Sequence, residues 1–206
     1  MKTAQQWAIA LILVVGLLVL GSLGTATQAE PGSQEAKEDV SIERRLASMA
    51  EQLRMAMTLT TLAVLSPTPA AQRLHIQQVI NLLEGTGGRH FVKRVSPQEE
   101  IPGLIPCAQA LFARLETTPL NPMGREPISV AAKHTLSLLN SALETSLFGL
   151  RQRRLERASD EMLKAYAYLT AALGCGSDPT DLSGVLVLSR LFLASSPASD
   201  GTREQP

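Results

Sequence analysis

The sequence predicts an all-α fold, an antiparallel helical bundle of about five or six helices behind a signal peptide. Three observations predict it. Leu and Ala dominate the apolar residues while Val, Ile, Tyr and Phe are sparser, and unbranched side chains lose little rotamer freedom on a helix. Apolar residues recur at alternating three- and four-residue steps over long stretches, which lines one side of a helix. The strict alternation of a half-buried strand competes nowhere. With 206 residues, the chain suffices for one domain with tails.

Lys2 opens a short positive region, Trp7 to Leu20 is an uninterrupted apolar run, and Gly21 to Ala29 supplies small residues. Thr27 and Ala29 stand where a signal peptidase would need them to cut before Glu30. This is the three-part layout of a secretory signal peptide. The apolar run falls short of the roughly 20 residues that span a bilayer comfortably. An uncleaved anchor extended through Ser22 to Gly24 is the alternative, and membrane contact is expected only in that case. No Cys follows the run, so a lipid anchor is not expected. The expected organisation is a signal peptide over 1–29, a flexible leader over 30–40, a helical body over 41–194 and a disordered tail over 195–206. The expected location is extracytoplasmic, periplasmic or secreted.

Within the body, Ile42, Leu46, Met49, Leu53, Ala56, Thr60 and Ala63 form one seam and predict a helix over 42–66. Ser66-Pro67-Thr68-Pro69 stops it. Thr68 then caps a second helix over 69–84 with Pro69 at its first position, and Ile76, Val79, Ile80 and Leu83 form its apolar face. Gly85, Gly87 and Gly88 end it, so the two helices make a hairpin with a very short turn. Ser96-Pro97-Gln98-Glu99 reads as a capping box that opens about one turn of helix. A fresh helix is expected from Pro106 to about Thr117, and a loop over 118–126. A long helical region follows from Pro127. Leu136, Leu139, Leu143 and Leu147 set its first seam, and Leu155, Ala158, Met162, Ala165, Leu169 and Ala172 its second. The seams fall out of register across Gly149 to Arg154, which predicts a break, bend or tight turn, with one bent helix as the alternative. Asp178-Pro179 opens a last helix whose apolar side is Val185, Leu186, Leu188, Leu191 and Phe192.

Charge and composition narrow the function classes. The chain holds 19 basic and 19 acidic residues, and removing the segment whose only charge is Lys2 leaves a slight negative balance. A neutral protein has no long-range field to gather phosphate backbones, and 3% aromatic residues leave little for stacking bases. Nucleic acid is therefore not an expected partner. Cys107 and Cys175 are the only two cysteines. An oxidising compartment favours bridging them, and closing so long a loop would stabilise the fold by about 4 kcal/mol. Two free thiols are the alternative; the spacing suits neither a metal knuckle nor a C-x-x-C motif.

His75, Gln78, Asn81 and Glu84 lie at successive three-residue steps. Such steps drift by about 60° each on a helix, so the four trace a slanting polar ridge. His75 sits at the border of the apolar face. It reads either as a metal or ligand contact or as a boundary histidine bonded to a neighbouring helix. His134 stands at a similar border on the fourth helix, and helical bundles do build metal and haem sites from facing helices. A joint His75–His134 site is the metal or haem option; no C-x-x-C-H, Glu-x-x-His or H-E-x-x-H pattern supports it. No cofactor is assigned. His90, after Gly87, Gly88 and Arg89, is expected to face solvent. Met49, Met55 and Met57 are expected to fill the core. Arg151, Arg153, Arg154 and Arg157 read as a solvated surface with local ion pairs, the alternative being contact with an acidic partner or anionic lipid. No serine stands in a nucleophile elbow. The GTGG stretch at 85–88 follows a helix, so its amides do not form the helix-start cradle of phosphate loops.

The stretch LHIQQVINLLEGTGG resembles a motif of helical extracytoplasmic domains of bacteria, H-x-x-[HQ]-V-I-N-x-L-E-G. The matching residues are His75, Gln78, Val79, Ile80, Asn81, Leu83, Glu84 and Gly85, within a stretch of about a dozen positions. Those domains often carry a second histidine at the position of Gln78 and an Asp/Gly-rich loop afterwards, where this chain reads GRHFVKRVSP. The resemblance implies a helical fold and a location outside the cytoplasm, and no activity. The expectation is a secreted or periplasmic binding or interaction module without a catalytic site, its partner another envelope protein or a second copy of itself. Metal or haem binding through His75 and His134 is the alternative.

Overall fold

The computed structural model describes residues 31–95, 102–119, 122–174 and 184–195, with the backbone alone for 31–40 and 122–124. Every long element among the described residues is an α-helix. These are α1 (Pro31–Leu65), α2 (Pro69–Glu84), α3 (Leu104–Thr117), α4 (Pro122–Arg151), α5 (Leu155–Leu173) and α6 (Val185–Ser195), with a 3-10 turn over Lys93–Val95. The chain divides into two compact units, 1–36 and 37–206, and the helices from α2 to α6 belong to the second. The expected signal peptide, the Ser96–Glu99 capping box, Cys175, the Asp178-Pro179 helix start and the tail over 196–206 lie outside the described residues. None of the described helices is long and apolar enough to cross a membrane.

All seven seam positions of α1, from Ile42 to Ala63, are buried. Its helix begins at Pro31 rather than at Ile42. Gln, Glu, Ala and Lys dominate the stretch after Gly32, and such good helix formers let a helix nucleated on a packed seam propagate backward. At the other end, Pro67 stops it. Thr68 accepts a hydrogen bond from Ala71 N (3.2 Å) and caps α2, with Pro69 at the first position as expected. Buried Gln72 locks the junction. Its Nε2 donates to Ser159 Oγ (2.9 Å), Leu155 O (3.2 Å) and Ala63 O (3.3 Å), which ties the ends of α1 and α2 to the start of α5.

Around α4 the bundle assembles: α2, α3, α5 and α6 all pack on it. Its buried residues are Ile128, Ala131, Ala132, Thr135, Leu139, Ala142, Ser146 and Gly149, while Leu136, Leu143 and Leu147 are only half-buried. The leucine seam expected for this helix is thus displaced toward small residues. A helix with neighbours on several sides brings its small residues to the closest approach and splays its leucines into the gaps between partners. At Gly149 an added Cβ would lie 3.4 Å from Met162 Sδ of α5. Thr135 and Ser146 satisfy their buried hydroxyls on the carbonyls of Ala131 (2.8 Å) and Ala142 (2.7 Å).

Boundaries shift where prolines sit early in helices. The first-turn N–H groups of a helix have no intrahelical partner, so Pro106 is accommodated inside the first turn of α3, which starts at Leu104. In α4, which starts at Pro122, Pro127 lies past the first turn, where its missing N–H gives up one intrahelical hydrogen bond, and the expected loop over 118–126 is shorter. The expected break is a turn: α4 ends at Arg151, Gln152 N donates to Gly149 O (3.1 Å), and α5 starts at Leu155. The entry to α6 is pinned by Gly184, whose N–H donates to Thr135 Oγ1 (3.1 Å). Gly184 takes φ 99, and a Cβ there would fall 2.4 Å from Gly174. Val185, Leu188 and Phe192 then enter the core.

Candidate functional site

The polar ridge of α2 faces a segment of its own chain. After Gly85, at φ 72, the backbone turns and runs back antiparallel along the helix. Glu84 takes the first grip: its Oε2 accepts from His90 N (2.7 Å) and its Oε1 from His90 Nδ1 (2.6 Å). Asn81 takes the second. Its Nδ2 donates to Val92 O and its Oδ1 accepts from Val92 N, both at 2.9 Å. Gln78 takes the third, Nε2 donating to Val95 O at 3.5 Å, while its Oε1 accepts from His75 Nδ1 at 3.0 Å. Buried Gln77 adds a bond to His90 O (2.7 Å) and one to Asn81 Oδ1 (3.0 Å). The slant of the ridge is therefore the path of the returning loop.

This placement corrects two expectations. His90 is half-buried and held by Glu84, not solvent-facing, because Glu84 folds back across the loop to reach it. The crossing requires glycine at 88, where a Cβ would lie 2.3 Å from Glu84 Cβ. Also, Asn81 and Glu84 already have backbone and imidazole partners, so a ligand would have to displace the loop to reach them. Met49 is buried and Met57 half-buried, but Met55 is exposed and fills no core. Arg151, Arg153, Arg154 and Arg157 are all exposed.

The clamped loop forms one wall of a cleft of about 550 Å³. Gly85 to Gly88 face Pro102, Ile105, Pro106, Cys107 and Ala110 at the start of α3, with Asn140 and Leu143 of α4 and Arg45 of α1 completing the lining. Gly103 sets the spacing. At φ 33 it abuts the end of α2 so closely that a Cβ would lie 2.4 Å from the Glu84 carbonyl carbon. The volume lies in the range of small-molecule sites. Arg45 is the one cation among the lining residues and Glu84 the one anion. Cys107 Sγ donates to Pro102 O (3.0 Å). Burial pushes the thiol pKa up, against the opposing pull of Arg45. A thiol so held stays protonated at neutral pH and is a poor nucleophile.

His75 is half-buried on α2 and His134 is exposed on α4; neither lines this cleft. His75 Nδ1 is engaged by Gln78, which leaves Nε2 as the atom for any ligand. Among the described residues no group of three or more His, Cys, Asp or Glu side chains could hold a metal ion. Of the expected disulfide pair, Cys107 lines the cleft and Cys175 lies outside the described residues. Sequence reasoning missed Gln72, Gln77, Arg45 and Asn140. The Gln77-Gln78 pair was the available signal, since two adjacent amides beside an apolar stripe point to partners on two sides. No family model, curated protein or solved structure matches the chain.

Proposed function

We propose that this protein is a non-enzymatic binding module that works outside the cytoplasm, in the periplasm or as a secreted protein, and that the cleft beside Gly85–Gly88 receives its ligand. One observation carries the reading. Buried side chains on α2 hold an irregular, glycine-rich loop rigidly beside an open, mostly apolar cavity. A loop so fixed loses little entropy when a ligand arrives, which is what preorganised binding requires. The lining offers no base, activated nucleophile or acid pair to support catalysis: Cys107 is neutral and both oxygens of Glu84 are engaged.

The test uses N-phenyl-1-naphthylamine, a neutral apolar fluorophore, with the natively purified protein. Saturable enhancement at one site per chain is expected. Ala110 is exposed on α3, so Ala110→Trp fills the cleft without touching the core; it is expected to abolish the signal while leaving the helical circular dichroism spectrum unchanged. A signal that survives Ala110→Trp undoes the reading.

A further inference from the structure

The cleft has a chemistry that narrows its ligand, and this inference rests on the binding-module reading above. Pro102, Ile105, Pro106, Ala110 and Leu143 give it an apolar wall. Arg45 brings to it the one positive side chain among the lining residues, and no hydrogen bond or ion pair ties that guanidinium to another described residue. A guanidinium presents a rigid fork of N–H donors matched to a carboxylate. Glu84 sits in the same lining with its charge turned to His90, so a second negative charge on a ligand would meet repulsion there. Cys107 offers no competing negative charge, whether as the thiol that donates to Pro102 O or as one half of a disulfide.

We infer that the cleft binds a free amphipathic monocarboxylate, a medium-length apolar chain ending in one carboxylate that pairs with Arg45. The apolar walls take the chain and the guanidinium takes the head. A dianion such as a phosphate monoester is disfavoured by Glu84, and a short acid lacks the apolar surface that the walls reward.

Decanoate is the probe, measured by displacement of N-phenyl-1-naphthylamine at neutral pH, with decanol and acetate alongside. Decanoate is expected to compete at one site, decanol about tenfold or more weaker, and acetate not at all. Arg45→Gln is expected to weaken decanoate by about tenfold or more relative to decanol, each displacement being referred to that variant's own fluorophore affinity; Arg45→Lys should fall between. Arg45 is exposed, so neither variant threatens the fold, and a melt of each confirms it. If the fluorophore binds but decanoate competes no better than decanol, or Arg45→Gln changes nothing, the carboxylate inference falls and the cleft reading stands. If the fluorophore itself ignores Ala110→Trp, both fall together.

Discussion

Among the ridge residues Asn81 carries the largest consequence. Its amide, in a residue 1% exposed, exchanges two hydrogen bonds with the Val92 backbone and accepts a third from buried Gln77, so truncation removes all three at once. Asn81→Ala should cost about 2 kcal/mol and open the 85–95 loop to limited proteolysis, whereas Gln78→Ala, whose loop bond is long, should change stability by less than about 0.5 kcal/mol. Equal effects from the two, read by urea denaturation, would remove the clamp. Gly88→Ala should act through Glu84, by about 1–3 kcal/mol, since the new methyl overlaps that side chain. The ridge was legible in the sequence; its purpose was not. Polar residues at three-residue steps look alike whether they meet water, a ligand or backbone, and a backbone partner leaves no side-chain signature. Cys107 adds a pH dependence. Its folded pKa is raised, so its contribution to stability is present below the pKa of an unfolded thiol and is lost as pH rises through the folded one. In the reduced protein, iodoacetamide labelling of Cys107 near pH 8.5 should therefore run slower than in the same protein unfolded in urea.

At the scale of the helices, the seams read from sequence differ in quality for a physical reason. On α1 and α2 every predicted seam position is buried, because each of these helices offers one continuous apolar stripe to the core. On α5, Ala158, Met162, Ala165, Leu169 and Ala172 are buried, and Leu155, at the first position of the helix, is half-buried. On α4 the pattern misleads, because four helices surround it and small residues mark the closest approaches. Leu139 is fully buried while Leu147 is half-buried, though periodicity treats them alike. Leu139→Ala should thus cost about 2–5 kcal/mol and Leu147→Ala distinctly less. Ala142→Leu, which adds volume at a fully buried seam position, should cost about 1–3 kcal/mol. Denaturant midpoints that rank Leu147→Ala with Leu139→Ala would return the seam to the leucines. Helix ends were the least legible feature. Proline is a stop signal by composition, yet Pro106 sits in the first turn of α3, where an N–H has no intrahelical partner to lose, and Pro127 sits further along in α4 at the loss of one hydrogen bond.

For the whole molecule, location and covalent chemistry are linked. Outside the cytoplasm, where the proposed function would put the chain, the surroundings are oxidising, and there its only two cysteines should close. Cys107 stands in the first turn of α3, and Cys175 follows Gly174, where α5 ends. A bridge between them would fasten the cleft-bearing end of α3 to the chain leaving α5, and so restrain the wall opposite the glycine loop. Three measurements on protein recovered from the envelope fraction bear on this together. N-terminal sequencing should begin at Glu30, iodoacetamide should label neither cysteine until a reductant is added, and reduction should lower stability by about 4 kcal/mol in the chain-entropy description. At two to four degrees per kcal/mol for a body of this size, that is a fall in Tm of roughly 8–16 °C. Free labelling of both thiols in untreated protein would leave the bundle to hold its cleft by packing and the α2 clamp alone, and the bridge would have to be given up.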